Sequence, residues 1–154
     1  MQVSEVMSTD PDVLVSSTPL RELETRLMSH HVGGFPVVDG GKLVGMVTRS
    51  DLVRILEVEH TIDDQLSDPA LGAPGSGNED ARSRGARIGA RLEAMTVADV
   101  MVHDVSSVSP EASVAEAAET MVERGIHRLP VVDGERLVGI VTSLDLARLV
   151  ADGY

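Results

Sequence analysis

Phe35 to Leu52 reads FPVVDGGKLVGMVTRSDL, and Leu129 to Leu146 reads LPVVDGERLVGIVTSLDL. Each stretch is an apolar strand, a turn, a second apolar strand and a helix entered through Thr-x-x-Asp. In the first copy the β-branched pair Val37-Val38 precedes Asp39-Gly40, a turn dipeptide able to take positive φ, and then the run Leu43 to Val47. The second copy repeats this with Val131-Val132, Asp133-Gly134 and Leu137 to Val141. Strands this continuous in Val, Leu, Ile and Met suit a sheet buried on both faces, so helices should cover it.

The match extends outward from the strands. Met7 aligns with Met101, Glu22 with Glu116, Pro36 with Pro130, Gly45 with Gly139 and Asp51 with Asp145, in one ungapped register from Val3–Leu56 to Val97–Val150. A match of this span is an internal repeat. Within each copy a short strand is expected near Val13–Val15 or Val105–Val108, followed by a helix. Ser113, with Glu116 three residues on, has the capping-box pattern, and Val114, Ala117, Ala118 and Met121 form a buried stripe at helical spacing. Leu20, Leu23, Leu27 and Met28 are expected to do the same in the first copy. These helices end before Gly33-Gly34 and at Gly125, where glycine can turn left-handed. The unit is β-α-β-β-α, with one repeat over residues 1–58, a second over 95–154 and a linker over 59–94.

The run MVHDVSSVSPEASVAEAAETMVERGIHRLPVVDGERLVGIVTSLDL, Met101 to Leu146, resembles the cystathionine-β-synthase (CBS) domain pattern, and the first repeat resembles a second copy. Its most specific parts are the LPVVD strand and the Gly-apolar-Val-Thr-x-x-Asp junction. The resemblance implies an α/β (α+β) fold in which two CBS-type repeats pack with pseudo-twofold symmetry, in modules that often form homodimers. It also implies clefts that bind an adenosine-containing ligand, AMP, ADP, ATP or S-adenosylmethionine, and signalling of occupancy to a regulated protein, with no cofactor required.

Thr48 with Asp51, and Thr142 with Asp145, sit where strand gives way to helix. Exposed amides at a helix N-terminus favour an anion, a carboxylate there can accept two hydrogen bonds from a ribose diol, and the threonine hydroxyl can reach ribose or phosphate. The same residues are equally a variant capping box that needs no ligand. The copies differ beside this junction. Arg49 follows the first threonine and offers a forked grip on phosphate, where the second copy has Ser143. Gly33-Gly34 precede the first PVVD strand, where the second has His127-Arg128. The resemblance makes His127 and Arg128 phosphate candidates and puts Leu129, Pro130, Phe35 and Pro36 beside phosphate or adenine. One occupied site, or two of unequal affinity, is the expectation.

Composition narrows the remaining choices. The formal charge is −12, from 25 acidic against 13 basic residues, which repels bulk nucleic acid and anionic membrane. Lys42 is the only lysine. A salt-rich cytoplasm fits such an acidic, lysine-poor surface, and a GC-rich genome explains the arginine preference equally well. There is no cysteine, no tryptophan, one Phe and one Tyr, so disulfides, thiol catalysis and aromatic base-stacking platforms are out. Nothing approaches the ~20 apolar residues of a membrane span, and Met1–Asp10 has no signal-peptide pattern, so the expected location is cytoplasmic.

Between the repeats, the Gly/Pro/Ser-rich stretch Asp68–Asp80 reads as mobile linker. Glu59, His60, Asp63 and Asp64 have helical spacing for a divalent ion but read better as a solvated helix end. Arg82, Arg84, Arg87 and Arg91 form a basic run able to dock on the acidic body of the protein or its dimer partner, or to bind phosphate or RNA. Gly85 and Gly89 argue against a rigid recognition helix. No serine has a nucleophile-elbow context, no Walker or Rossmann loop occurs, and His30-His31 splay apart on a helix. The expected protein is a ligand-sensing module without catalysis; the alternative is a structural dimerisation module whose Thr-x-x-Asp junctions are caps alone.

Overall fold

The structure, a computed structural model, describes residues 1–30, 32–66 and 81–154; His31 and the expected linker Asp68–Asp80 lie outside these. A 3-10 turn at Val3–Glu5 leads to helix α1 (Leu20–Ser29), the hairpin of β1 (Gly34–Asp39) and β2 (Lys42–Thr48), and α2 (Arg49–Leu66). Then come α3 (Ala81–Glu93), the short α4 (Val97–Val100), α5 (Val114–Arg124), a second hairpin of β3 (Arg128–Asp133) and β4 (Arg136–Thr142), and α6 (Ser143–Ala151). The first hairpin turns through Gly40 and Gly41, at φ +58° and +81°, the pair of positive values that a two-residue turn between twisted strands demands. The four strands form one sheet in the order β1-β2-β4-β3, with Lys42 opposite Arg136 and Arg128 opposite Thr142 in antiparallel ladders.

The expected leading strand of each repeat contracts to a single bridge, Leu14 parallel to Val37 and Val108 parallel to Val131. Leu14 spends both backbone groups on β1, donating to Pro36 O and accepting from Val38 N–H, and the ladder goes no further.

The chain divides into two compact units, one of Met1–Val15, Pro36–Met46 and Val102–Tyr154, the other of Ser16–Phe35 and Val47–Met101. In each unit a repeat is completed by the lead-in segment of the other. In the first, Val3 N–H donates to Ala112 O at 2.8 Å, and the Val3 side chain is fully buried with Ala117, Met121, Leu129, Val131 and Val141. In the second, the register twin Val97 donates to Thr18 O at 2.8 Å and is equally buried, in a unit whose core includes Leu20, Leu23, Leu27 and Phe35.

Helix ends show where local chemistry decides. Ser113 caps α5 in a full capping box with Glu116, and Gly125 closes it at φ +62°. The backbone and hydroxyl hydrogen bonds from Ser113 hold the Glu116 carboxyl below its usual range. In α1 the expectation of a left-handed glycine fails: the helix closes on His30 in right-handed geometry, and Gly34 enters β1. The reason for Gly34 is contact, since a Cβ there would stand 2.5 Å from Val47 O and 2.9 Å from Thr48 Cγ2. Met28 is also not in the stripe, being 71% exposed; it lies about 100° around the helix from Leu27.

The group Glu59, His60, Asp63 and Asp64, read as a solvated helix end, is corrected at Glu59 and Asp63, which are buried, and it resolves together with the basic run. Asp63 and Glu59, both buried, are clasped by Arg84, Arg87 and Arg91 of α3, so the run docks on carboxylates of its own chain. Asp64's side chain falls outside the described residues. Among the described residues, no helix is long and apolar enough to cross a membrane.

Candidate functional site

Thr142 is the N-cap residue of α6, with an extended backbone at φ −121° and ψ 160°. Its N–H and hydroxyl donate to Asp145 Oδ2 at 2.9 and 2.7 Å, and Asp145 N–H donates back to Thr142 Oγ1 at 3.3 Å. Thr48 repeats the geometry on Asp51 Oδ2, at 2.8 Å from N–H and 2.9 Å from the hydroxyl. Capping therefore accounts for one oxygen of each carboxylate. Thr96-x-x-Asp99 on α4, which sequence reading passed over, makes the same bonds with no strand before it. The cap alone does not make a site.

What distinguishes the two junctions is the second oxygen and its surroundings. Asp145 Oδ1 has Arg148 Nη1 at 3.6 Å, from a side chain 68% exposed, and Asp145 is itself half-buried. Asp51 is 5% exposed and its Oδ1 is held by Arg54. An exposed i,i+3 arginine costs little to displace, so each outer oxygen can be exchanged for another donor, and the Asp145 oxygen more readily.

Strand pairing brings the predicted neighbours to each junction. The Arg128–Thr142 register pair and the bond from Ser143 N–H to His127 O, 2.9 Å, gather His127, Arg128, Thr142, Ser143 and Asp145 at one end of β3 and β4. Arg128 is half-buried, and that burial pushes its guanidinium down from the ordinary value. His127 and Ser143 are exposed.

At the first junction Arg49 N–H donates to Gly33 O at 3.0 Å, the counterpart bond. Here Gly34 replaces the arginine because no side chain fits. Arg49 turns its Nη2 to Leu27 O at 3.1 Å, near the C-terminal end of α1, so its guanidinium serves a helix end. Arg26 stacks over Phe35 at 5.7 Å, with His30 edge-on at 6.2 Å. Phe35, Pro36, Leu129 and Pro130 are all buried, and Leu129 packs in the core of its unit.

Two clefts that sequence reading did not single out flank the strands. One, of about 540 Å³, has Thr9, Asp10, Pro11 and Val13 against Val38, Leu137 and Val138. The other, of about 310 Å³, has His103, Val105 and Ser107 against Leu43, Val44 and Val132. Both volumes suit a small ligand. Their linings are twins in the repeat register, Thr9 with His103, Val13 with Ser107, Val38 with Val132 and Val138 with Val44, so the register held the signal. The larger cleft borders β4, the strand that ends at Thr142, and the lead-in chain reaches it by pairing Ser8 with Ile140. Gly139 is needed at that crossing, since a Cβ there would lie 2.8 Å from Ser8 O.

Two repeats of strand–helix junctions with flanking clefts define a tandem-repeat architecture. The CBS domain matches twice, over residues 3–58 and 97–152, and the chain belongs to the CBS domain family. It is 29% identical to the CBS domain-containing protein YhcV of Bacillus subtilis, covering 94% of this chain and 82% of that protein. It is 32% identical to MJ1426 of Methanocaldococcus jannaschii, covering 95% and 89%. Among solved structures it resembles the CBS domain pair of protein MJ0100 in complex with 5′-methylthioadenosine and S-adenosyl-L-methionine, at 26% identity, a TM-score of 0.66 and coverage of 97% and 99%.

Proposed function

We propose that this chain is a regulatory CBS pair that binds an adenosine-containing ligand at the Asp145 junction and reports occupancy to a partner protein. The observation that carries the reading is the Asp145 carboxylate: one oxygen is committed to the cap, and the other faces the exposed Arg148, with half-buried Arg128 on the strand beside it. A ribose diol takes the outer oxygen, Thr142 and Ser143 supply hydroxyls, and Arg128 and His127 take phosphate or another anionic group. The larger cleft beside β4, walled by Val13, Val38 and Val138, accepts the adenine. The Asp51 junction, with Thr48 and Arg49, is the weaker second site. The MJ0100 complex supports this ligand class, and S-adenosylmethionine and AMP are the first to test.

Ligand reaches the partner only through differential affinity for two arrangements of the module, which acts as a homodimer in the cytoplasm. No step of the proposed role is catalytic. Residues 1–58 and 95–154 are the ligand-bearing repeats, and residues 59–94 join them.

Calorimetric titration with AMP, ADP, ATP and S-adenosylmethionine tests the reading, on wild type, Asp145→Asn and Asp51→Asn. Asn keeps an acceptor for the cap, so the fold is retained while the ribose contact is weakened. Saturable binding lost in Asp145→Asn and kept in Asp51→Asn is the expected result. No binding by wild-type protein at low or high salt would leave the junctions as caps and favour a structural dimerisation module.

A further inference from the structure

Helix α3 is a weak helix on its own terms. It has 13 residues, two of them glycines, and an isolated helix of that length is marginal in water even without glycine. Its apolar hold is thin. Ile88 is buried and Leu92 half-buried, but between α3 and the α1–α2 pair there remains a cleft of about 260 Å³, open to solvent on one side, floored by Leu20, Leu52 and Leu56 and edged by Gly89 and Leu92. A helix kept in place by packing would fill that space.

Its ionic hold is dense by contrast. Arg87 grips Asp63 with both arms of its fork, Nε to Oδ1 and Nη2 to Oδ2, each at 3.1 Å. Arg84 Nε stands 3.2 Å from Asp63 Oδ2, and Arg91 Nη2 is 3.5 Å from Oδ1 while Arg91 also donates to Glu59. Asp63 is 1% exposed; its carboxylate is fully withdrawn from water and compensated by guanidinium groups that all come from α3.

The second repeat supplies an internal control. In the repeat register Leu20, Leu52 and Leu56 correspond to Val114, Leu146 and Val150, and Val150 is 73% exposed. At that position the second repeat folds with its apolar side chain exposed.

We propose that α3 is a detachable cover over the α1–α2 face of the first repeat, held shut by the arginine–carboxylate cluster at Asp63 and Glu59 rather than by apolar packing. Releasing it uncovers Leu20, Leu52 and Leu56 while the repeat beneath stays folded. Salt separates the two: raising it screens the self-repulsion of a chain with net charge −12 and firms the whole, yet it weakens the half-exposed arginines of the latch.

Hydrogen exchange read by mass spectrometry on the full chain tests this, comparing peptides from α3 with peptides from α1 and β2. Asp63→Asn, and separately the double variant Arg84→Gln with Arg87→Gln, are expected to speed exchange in α3 at least tenfold and to leave α1 and β2 unchanged. The charge swap Asp63→Arg with Arg87→Asp is expected to restore protection in part. In wild type, molar salt is expected to speed exchange in α3 alone. Unchanged protection of α3 in both variants would overturn the latch. Loss of protection in α1 and β2 together with α3 would overturn the cover, making α3 an integral part of the core. A larger release by Ile88→Ala than by Asp63→Asn would show that packing holds the helix.

Discussion

The two Thr-x-x-Asp junctions carry the same cap and differ in everything beside it. At Thr142 the neighbouring strand brings a half-buried arginine, and the outer carboxylate oxygen faces an exposed side chain. At Thr48 the corresponding strand position is a glycine pressed against Val47 O, the carboxylate is buried and Arg49 is turned to the end of α1. Duplication supplied one hydrogen-bond pattern twice; the side chains around it separate a buried cap from an accessible one. The Thr96–Asp99 cap, with no strand before it, makes the same point from the opposite side.

Exchanging the residues that set the difference tests it most severely. Gly34→Arg puts a Cβ into backbone at 2.5 Å, and is expected to cost about 3 kcal/mol, lowering Tm by roughly 6–12 °C. The reciprocal Arg128→Gly vacates a half-buried strand position and is expected to cost about 1 kcal/mol. Equal losses in thermal unfolding would mean that the two strand ends are not constrained differently.

A subtler pair removes only the hydroxyl. Thr48→Val and Thr142→Val each lose the hydroxyl bond to the carboxylate and keep the backbone one, and Thr142→Val also loses the long 3.3 Å bond that its Oγ1 accepts from Asp145 N–H. Asp51 is the less accessible to replacement water, so its loss is expected to be the larger, about 2 against about 1 kcal/mol by chemical denaturation. The reverse order would show that the bond returned from Asp145 N–H to Thr142 outweighs the burial of Asp51.

Sequence carried far in this protein because its strongest signals are local. The Ser113–Glu116 box and the αL cap at Gly125 are chosen within a few residues and found as read, while the hairpin turns fall one residue later than the Asp-Gly dipeptides, with Asp39 and Asp133 ending their strands. The repeat register paired the two junctions and, had it been followed through Thr9 and His103, would have paired the clefts as well. What stayed hidden depends on contact across the fold. Gly34 reads as a helix stop and is a close approach to β2. Met28 reads as core and is exposed, because α1 uses a narrow stripe. Val3 and Val97 read as the openings of their own repeats, whereas each packs into the other, which no local pattern encodes. Arg49 reads as a phosphate ligand until the position of the α1 carbonyls is known.

A last comparison sets the buried ion pairs of the first repeat against the surface pair at the hairpin turns. The Asp63 carboxyl is held below its usual value of 3.8, first by its hydrogen bond from Arg87. Glu135 is likewise held below 4.5, first by its hydrogen bond from Lys42. For both, the folded value lies below the unfolded one, so the contribution is complete above the unfolded value and is lost as pH falls through the folded value. Their weights differ, because Asp63 is withdrawn from water whereas Lys42 and Glu135 are 62% and 76% exposed and screened by solvent. In an acid titration of stability, Asp63→Asn is therefore expected to flatten the limb below pH 3.8, and Glu135→Gln to leave the curve superimposable on wild type. Lys42→Ala should shift Tm by no more than the error of the measurement, although it removes the only lysine in the chain. A clear loss of stability there would mean that the pair joining the two turns, where Lys42 lies opposite Arg136, acts as a structural clasp rather than as solvated charge.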